Sequence, residues 1–315
     1  MTLSLFDFLN MQIVVTDKKL LLEAPISDAD PTINGPTCIT VPDWCTEKLG
    51  KYYLYFSSHA GKSIYLAAAD NVEGPWKIIG KQLIDIGLCK DAYDHVASPD
   101  IYIDDNARKI YLFFHARSRH RGREQWTFGA ESVDGLRFDN ISDRPLAGFY
   151  FRYFNIGGTH CGLSKGGNLW VSASILSPYR CIGNIFDRSL DNEYWHNDLG
   201  SIRHLCVLRT SRDFFVFYSR IGDRPERILA TRFKLPCKPE DLLDFAPGNL
   251  LEISRPEQNW EGTGIPLTSS LPGPATDFEN ALRDPYVFSE IDEQYLFYTV
   301  KGEFGIAVSK LRILD

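Results

Sequence analysis

Residues 51–70 read KYYLYFSSHAGKSIYLAAAD. Two short runs dense in Tyr, Phe, Ile and Leu flank a loop that holds His59 and Gly61. Runs of this length and composition are strand signals, and Gly with small polar residues marks the turn between them. The first run recurs four more times: KIYLFFHA from Lys109, NLWVSASI from Asn168, DFFVFYSR from Asp213 and EQYLFYTV from Glu293. Each copy has an upstream companion: GPTCITV, SPDIYI, THCGLS, RHLCVL and DPYVFS. Each also has a downstream one: SIYLAAAD, WTFGAESVDG, IGNIFDRS, RILATRFK and FGIAVSKL. The unit is strand, tight turn, strand, longer loop, strand, with room for a fourth. Five repeats of an antiparallel meander predict an all-β, five-bladed β-propeller with about four strands per blade.

The unit spans the chain, so residues 1–315 are expected to form one domain. MQIVVTD and KKLLLEAP, within residues 11–24, have no unit of their own and are expected to complete the last blade. KPEDLLDFA has room for one short turn of helix. The bulk numbers agree: 13% aromatic residues and only two Met favour sheet over helix.

The formal net charge of −7 argues against nonspecific contact with nucleic-acid phosphates. No run reaches the roughly 18 apolar residues of a spanning helix, so no membrane partner is expected. The start, MTLSLFDFLN, lacks a basic region and carries Asp7, unlike a secretory signal. Seven cysteines at irregular spacing, without CxxC, read as thiols in a reducing compartment, and the expected location is the cytoplasm.

Antiparallel alternation places the start of each first strand and the loop between the second and third strands at one end of the ring. That end is expected to gather Asn34, Asp94, His95, His160, Arg203, His204, Arg283 and Asp284 from strand starts. Loops add His59, His115, Arg117, Arg119, His120, Glu124, Tyr179, Arg180, Arg220 and Glu303. A single His or Arg in a loop is most often solvated, and Asp before Pro is most often a turn residue. Convergence from five blades on one end is the signal of a ligand pocket. Carboxylates facing across a sugar cut glycosidic bonds, and His160 and His204 are acid–base candidates near neutral pH. Arginines there suit a carboxylate or phosphate on the ligand.

GKYYLYFSSHAGKSIYLAAADNVEGPWK resembles the first blade of the five-bladed propeller glycosidases, the arabinanase, β-xylosidase and invertase group. ASPDIYIDDNARKIYLFFHA, FGAESVDGLRF and LRDPYVF are similar to further motifs of that group. The resemblance runs from about Gly35 to Leu311 and is nearest to family 43 glycosidases. It implies a saccharide ligand and glycoside hydrolysis. Departures are visible: Asn34-Gly35-Pro36 stands where an Asp-Pro base is usual, His160 where a second Asp is usual, and Arg203-His204 where an acidic Glu is usual. Asp100 matches a position that is more often structural. On this reading Asp284 is the base or charge stabiliser, and Glu303, Asp94 or Glu124 the acid. His160 and His204 assist, while Asn34, His95, His115, Arg203, Arg220 and Arg283 bind substrate. The alternatives are a noncatalytic sugar-binding propeller and a His/Arg enzyme acting on acidic sugars by elimination. No cofactor is indicated, although a water-filled axial channel has room for a cation such as Ca²⁺.

Overall fold

The computed structural model describes residues 11–27, 30–59, 61–80, 83–84, 86–186 and 202–314. The reading of residues 1–10 and the end of IGNIFDRS lie outside the described residues. Twenty strands form five four-stranded antiparallel sheets. The first blade is β2 (Asn34–Thr40), β3 (Tyr52–Ser57), β4 (Ile64–Ala69) and β5 (Lys77–Ile78). The second is β6 (Ala92–Asp104), β7 (Lys109–Ser118), β8 (Gln125–Ser132) and β9 (Ala147–Gly148). The third is β10 (Arg152–Ile156), β11 (Thr159–Ser164), β12 (Asn168–Ser172) and β13 (Arg180–Asn184). The fourth is β14 (Ile202–Arg209), β15 (Asp213–Arg220), β16 (Ile228–Lys234) and β17 (Leu250–Ser254). The fifth is β18 (Arg283–Ser289), β19 (Gln294–Val300) and β20 (Gly305–Leu314), completed by β1 (Gln12–Glu23).

β1 pairs antiparallel with β20, so the two ends of the chain share one sheet and close the ring. It is one long strand, with a register shift beside Asp17 where two separate runs were expected. KPEDLLDFA supplies one helical turn, α1 (Asp241–Asp244). Consecutive first strands touch around the circle: β2 with β6, β6 with β10, β10 with β14, β14 with β18, and β18 with β2. Five apolar clusters fill the five blade–blade seams. Each sheet is packed on both faces, which is why β3 and β15 are continuous apolar runs with every residue but the last of β15 buried.

The axis is plugged rather than open. Thr37, Asp100, Arg152, Leu205 and Tyr286 form one layer, one residue from each first strand. Arg152 Nη1 donates to Thr37 Oγ1 (3.0 Å), Pro99 O (2.8 Å) and Asp100 Oδ1 (3.2 Å). Its Nε donates to Leu205 O at 3.1 Å, and its guanidinium lies 5.5 Å from the Tyr286 ring. The oxygens a calcium ion would need at this depth are therefore already bound to a cation of the chain. Among the described residues no group of three or more His, Cys, Asp or Glu could hold a metal ion. The axial layer does not fit calcium.

The third blade departs from the sequence reading by one strand. THCGLS is its second strand and NLWVS its third, while the inner strand is RYFNI. Arg152 and Asn155 interrupt the apolar character of RYFNI, because Arg152 points into the axis. Gly157 and Gly158, both at positive φ (57° and 87°), form the tight turn that follows.

Of the seven cysteines, all are free; Cys181 and Cys237 are exposed and the other five buried. No helix among the described residues is long and apolar enough to cross a membrane.

Candidate active site

Four of the five inner strands carry a residue at positive φ at or beside their start: Gly35 (φ 60°), Asp94 (83°), Tyr150 (56°) and Asp284 (52°), with Ser98 (48°) further along β6. Register shifts accompany these entries in the first, second and fifth blades. A bulge re-aims the side chain it carries. For Asp284 the result is a fully buried carboxylate facing the axis. Gly35 N–H donates to Asp284 Oδ2 at 3.1 Å.

Two His–carboxylate pairs meet at this end. Asp284 Oδ1 is in direct contact with Nδ1 of His204, from β14. Glu303, from the β19–β20 turn, lies 2.5 Å from Nδ1 of His59, from the β3–β4 loop. The Asn34 side-chain amide packs 2.7 Å from the same nitrogen, and Ser57 Oγ donates to Asn34 Oδ1 at 2.5 Å. Ring contacts extend the cluster: His204 on Tyr150 (3.9 Å between centroids), Tyr150 on His115 (4.8 Å) and His115 on His95 (5.5 Å). His59, His95 and Tyr150 retain partial solvent access, whereas Asp284 and Glu303 have none.

The two pairs differ in charge. Burial works to raise both carboxyls, yet each is held below its ordinary range. For Asp284 the opposing causes are His204, the Gly35 N–H and His59. For Glu303 they are His59 and Arg283, with Asp284 pushing the other way. Burial depresses His204, and the Asp284 charge beside it does not reverse the shift. His59 is depressed by burial but raised overall by Glu303, with Asp284 adding to it. Burial also pushes His115 and His95 down. The two imidazoles are thus shifted in opposite directions, His204 down and His59 up.

Beneath them lies a buried ionic network. Glu226 accepts from Arg203 Nε (2.9 Å) and Arg283 Nε (2.8 Å), with Ser219 Oγ on the first oxygen. Arg283 also pairs with Glu279 (2.5 Å) and faces Glu303 at 3.7 Å. Arg203 donates to Leu271 O and Gly273 O of the covering loop. Both guanidinium groups are thus enclosed within the protein, with Arg283 Nη1 buried and without a hydrogen-bond partner among the described residues.

The sequence therefore brought together Asn34, His95, His115, Arg203, His204, Arg283, Asp284 and Glu303, with His59. His160 does not belong: it follows the Gly157-Gly158 turn at the opposite end, its Nδ1 2.8 Å from Tyr153 Oη. It was misplaced because the third blade is shifted by a strand. Asp94 stands at the rim, 3.2 Å from Arg117, both about half exposed. Glu124 ends the exposed β7–β8 loop, and Arg220 pairs with Asp223 at 3.0 Å. Sequence reasoning missed Glu226, Glu279 and Tyr150. Tyr150 was hidden by the same strand shift, and Glu226 and Glu279 stand in loops where no motif marks them.

This ring of five sheets with a polar cluster at one end of its axis is the fold of the five-bladed propeller glycosidases. A β-xylosidase/α-arabinofuranosidase from a compost microbial metagenome, solved with xylotriose in a calcium-free form, superimposes with a TM-score of 0.58 at 13% identity, over 95% of this chain and 96% of that one. An α-L-arabinofuranosidase from Lactobacillus brevis gives 0.58 at 13%, over 88% and 90%. An exo-1,5-α-L-arabinanase from a bovine ruminal metagenomic library gives 0.54 at 11%, over 92% and 95%. No family model matches the chain. The chain is 34% identical over 310 residues to the uncharacterized protein R118 of Acanthamoeba polyphaga mimivirus, covering 90% of this chain and 85% of that protein, and it belongs to that protein's family.

Proposed function

We propose that the protein is a glycoside hydrolase-like enzyme that takes a saccharide at the His59–His204 end of the axis. The observation that carries this reading is the convergence of two His–carboxylate pairs whose histidines are shifted in opposite directions. Two titratable groups driven apart by their surroundings supply an acid and a base at one pH. His59, partly open to solvent, backed by Glu303 and shifted toward its protonated form, is the group we assign to protonate a leaving glycosidic oxygen. Neutral His204, oriented by Asp284 as the imidazole is in a Ser-His-Asp triad, is placed to take a proton from the attacking water. One water is consumed, the C–O bond breaks, and each product keeps a hydroxyl. Asp284 acts here through His204, and its charge stabilises the oxocarbenium-like centre.

A second reading has its own support. Asp284 and Glu303 are fully buried, and Asn34 stands where the resembled family has a base. These features favour a propeller that binds sugar without cutting it. A panel of aryl glycosides and oligosaccharides, tested with wild type and Asp284→Asn, separates the two. Hydrolysis by wild type, slowed about 10²–10⁴-fold in Asp284→Asn, supports the enzyme. Sugar binding by both with turnover by neither supports the binder.

A further inference from the structure

We infer that the end of β7 and the β7–β8 loop, Arg117–Arg123, form an anion-binding surface that receives the negatively charged groups of an acidic saccharide whose chain leads into the axial site. The inference rests on the saccharide reading above and adds the ligand's charge. Four arginines and His120 fall within seven residues of a chain whose formal net charge is −7. The loop is rigidly built. Buried Asp91 accepts from Ser118 Oγ (2.7 Å) and from the His120 N–H (2.9 Å), with His120 Nδ1 also at 2.7 Å. Arg121 N–H donates to Ser118 Oγ, and Arg123 N–H to Ser118 O.

The arginine heads are laid out on aromatic rings: Arg119 lies 4.9 Å from the Tyr93 centroid and Arg121 5.1 Å from that of Trp126. Such stacking leaves the N–H edges of a guanidinium open to carboxylate or sulfate. Among the described residues Arg119, Arg121 and Arg123 have no carboxylate partner, and Glu124 is the acidic residue that closes the loop. Arg117 joins this surface to the site: it pairs with Asp94 at 3.2 Å, next to His95. Arg203 and Arg283 are enclosed, so the rim carries the cationic groups that a charged ligand can reach. The net charge of −7 acts alike on every polyanion, and it is the proposed saccharide site beside the loop that favours a sugar over a polynucleotide.

The test is calorimetric titration of the full chain with hexagalacturonate, a heparin hexasaccharide, neutral xylohexaose and a single-stranded 20-mer DNA, at 50 and 200 mM NaCl. The expected result is binding of one or both acidic saccharides, weakened about tenfold by the higher salt. Hexagalacturonate alone would identify carboxylates as the recognised groups, and heparin alone sulfates. The variant Arg119→Glu/Arg121→Glu/Arg123→Glu should lose a further tenfold or more for the acidic ligand and leave any xylohexaose affinity unchanged. The milder Arg119→Gln/Arg123→Gln gives the same comparison if the triple variant does not fold. Equal affinity in wild type and a variant that melts normally overturns the inference. Preference for the DNA also overturns it. Binding of xylohexaose alone overturns it while the saccharide reading stands; no saccharide bound at all removes both.

Discussion

His59 of the first blade and Glu303 of the fifth meet across the seam that closes the ring, with His59 Nδ1 2.5 Å from Glu303 Oε2. The contact ties the β3–β4 loop to the β19–β20 turn, 244 positions apart in sequence. It also shifts His59 upward at the edge of a site whose other histidines are shifted down.

Removing the charge of Glu303 should leave His59 without its buried carboxylate partner and take the most distant of three carboxylates from Arg283. Glu303→Gln is expected to cost about 3–5 kcal/mol in urea unfolding, as breaking one side of a buried pair does. His59→Gln/Glu303→Gln should cost less than the sum of the single changes, because the orphaned charge is gone. A Glu303→Gln chain as stable as wild type would contradict the assignment.

Glu226 should matter as much. It is fully buried and is the shared acceptor of Arg203 and Arg283. Glu226→Gln is expected to lower stability by about 3–5 kcal/mol and to lower the melting temperature accordingly. A change under about 0.5 kcal/mol would show that the arginines find other partners.

How much of this was legible follows from what each residue answers to. The repeat of KYYLYFSS was readable because both faces of each sheet are buried, which forces continuous apolar runs. Asp284 and His204 were placed at one end because antiparallel alternation fixes which end a strand start occupies. RYFNI was not readable as an inner strand, since Arg152 is polar for a reason that exists only once five blades surround it. Tyr150 and His160 were lost with that strand. Glu226 sits in DRPERI, whose charges look solvated until two arginines from other strands enclose one of them.

The pH dependence of stability has a definite sign. His95, His115 and His204 have folded pKa values below that of a free histidine, chiefly through burial. Their contribution is complete above about pH 6.5 and is lost as pH falls through the folded values, by up to about 1.4 kcal/mol per pH unit for each. His59 is raised, so its contribution is complete below about pH 6.5 and is lost as pH rises through its folded value. Chemical denaturation between pH 5 and 9 should give a steep loss on the acid side and a shallower one on the alkaline side. A flat profile from pH 7 to 5 would mean that the three histidines are not buried neutral.

Gly35 offers a backbone test of the Asp284 pocket. A Cβ there would lie 2.8 Å from Ser98 Cα, and φ is +60°. Gly35→Ala should destabilise by more than the roughly 1–2 kcal/mol of a left-handed alanine and displace the N–H that Asp284 accepts. Thermal melts of Gly35→Ala beside Gly61→Ala, a position without positive φ, would check it. A Gly35→Ala chain as stable as wild type would place Asp284 differently.

His59 is shifted toward its protonated form in a site where His95, His115 and His204 are shifted toward the neutral one. Side-chain NMR titration of the free protein, with each histidine assigned by single substitution, measures this directly. His59 is expected to keep its proton to a pH above the ordinary histidine value, while His95, His115 and His204 remain neutral below it. Four histidines titrating together near pH 6.5, or His59 losing its proton first, would contradict the account.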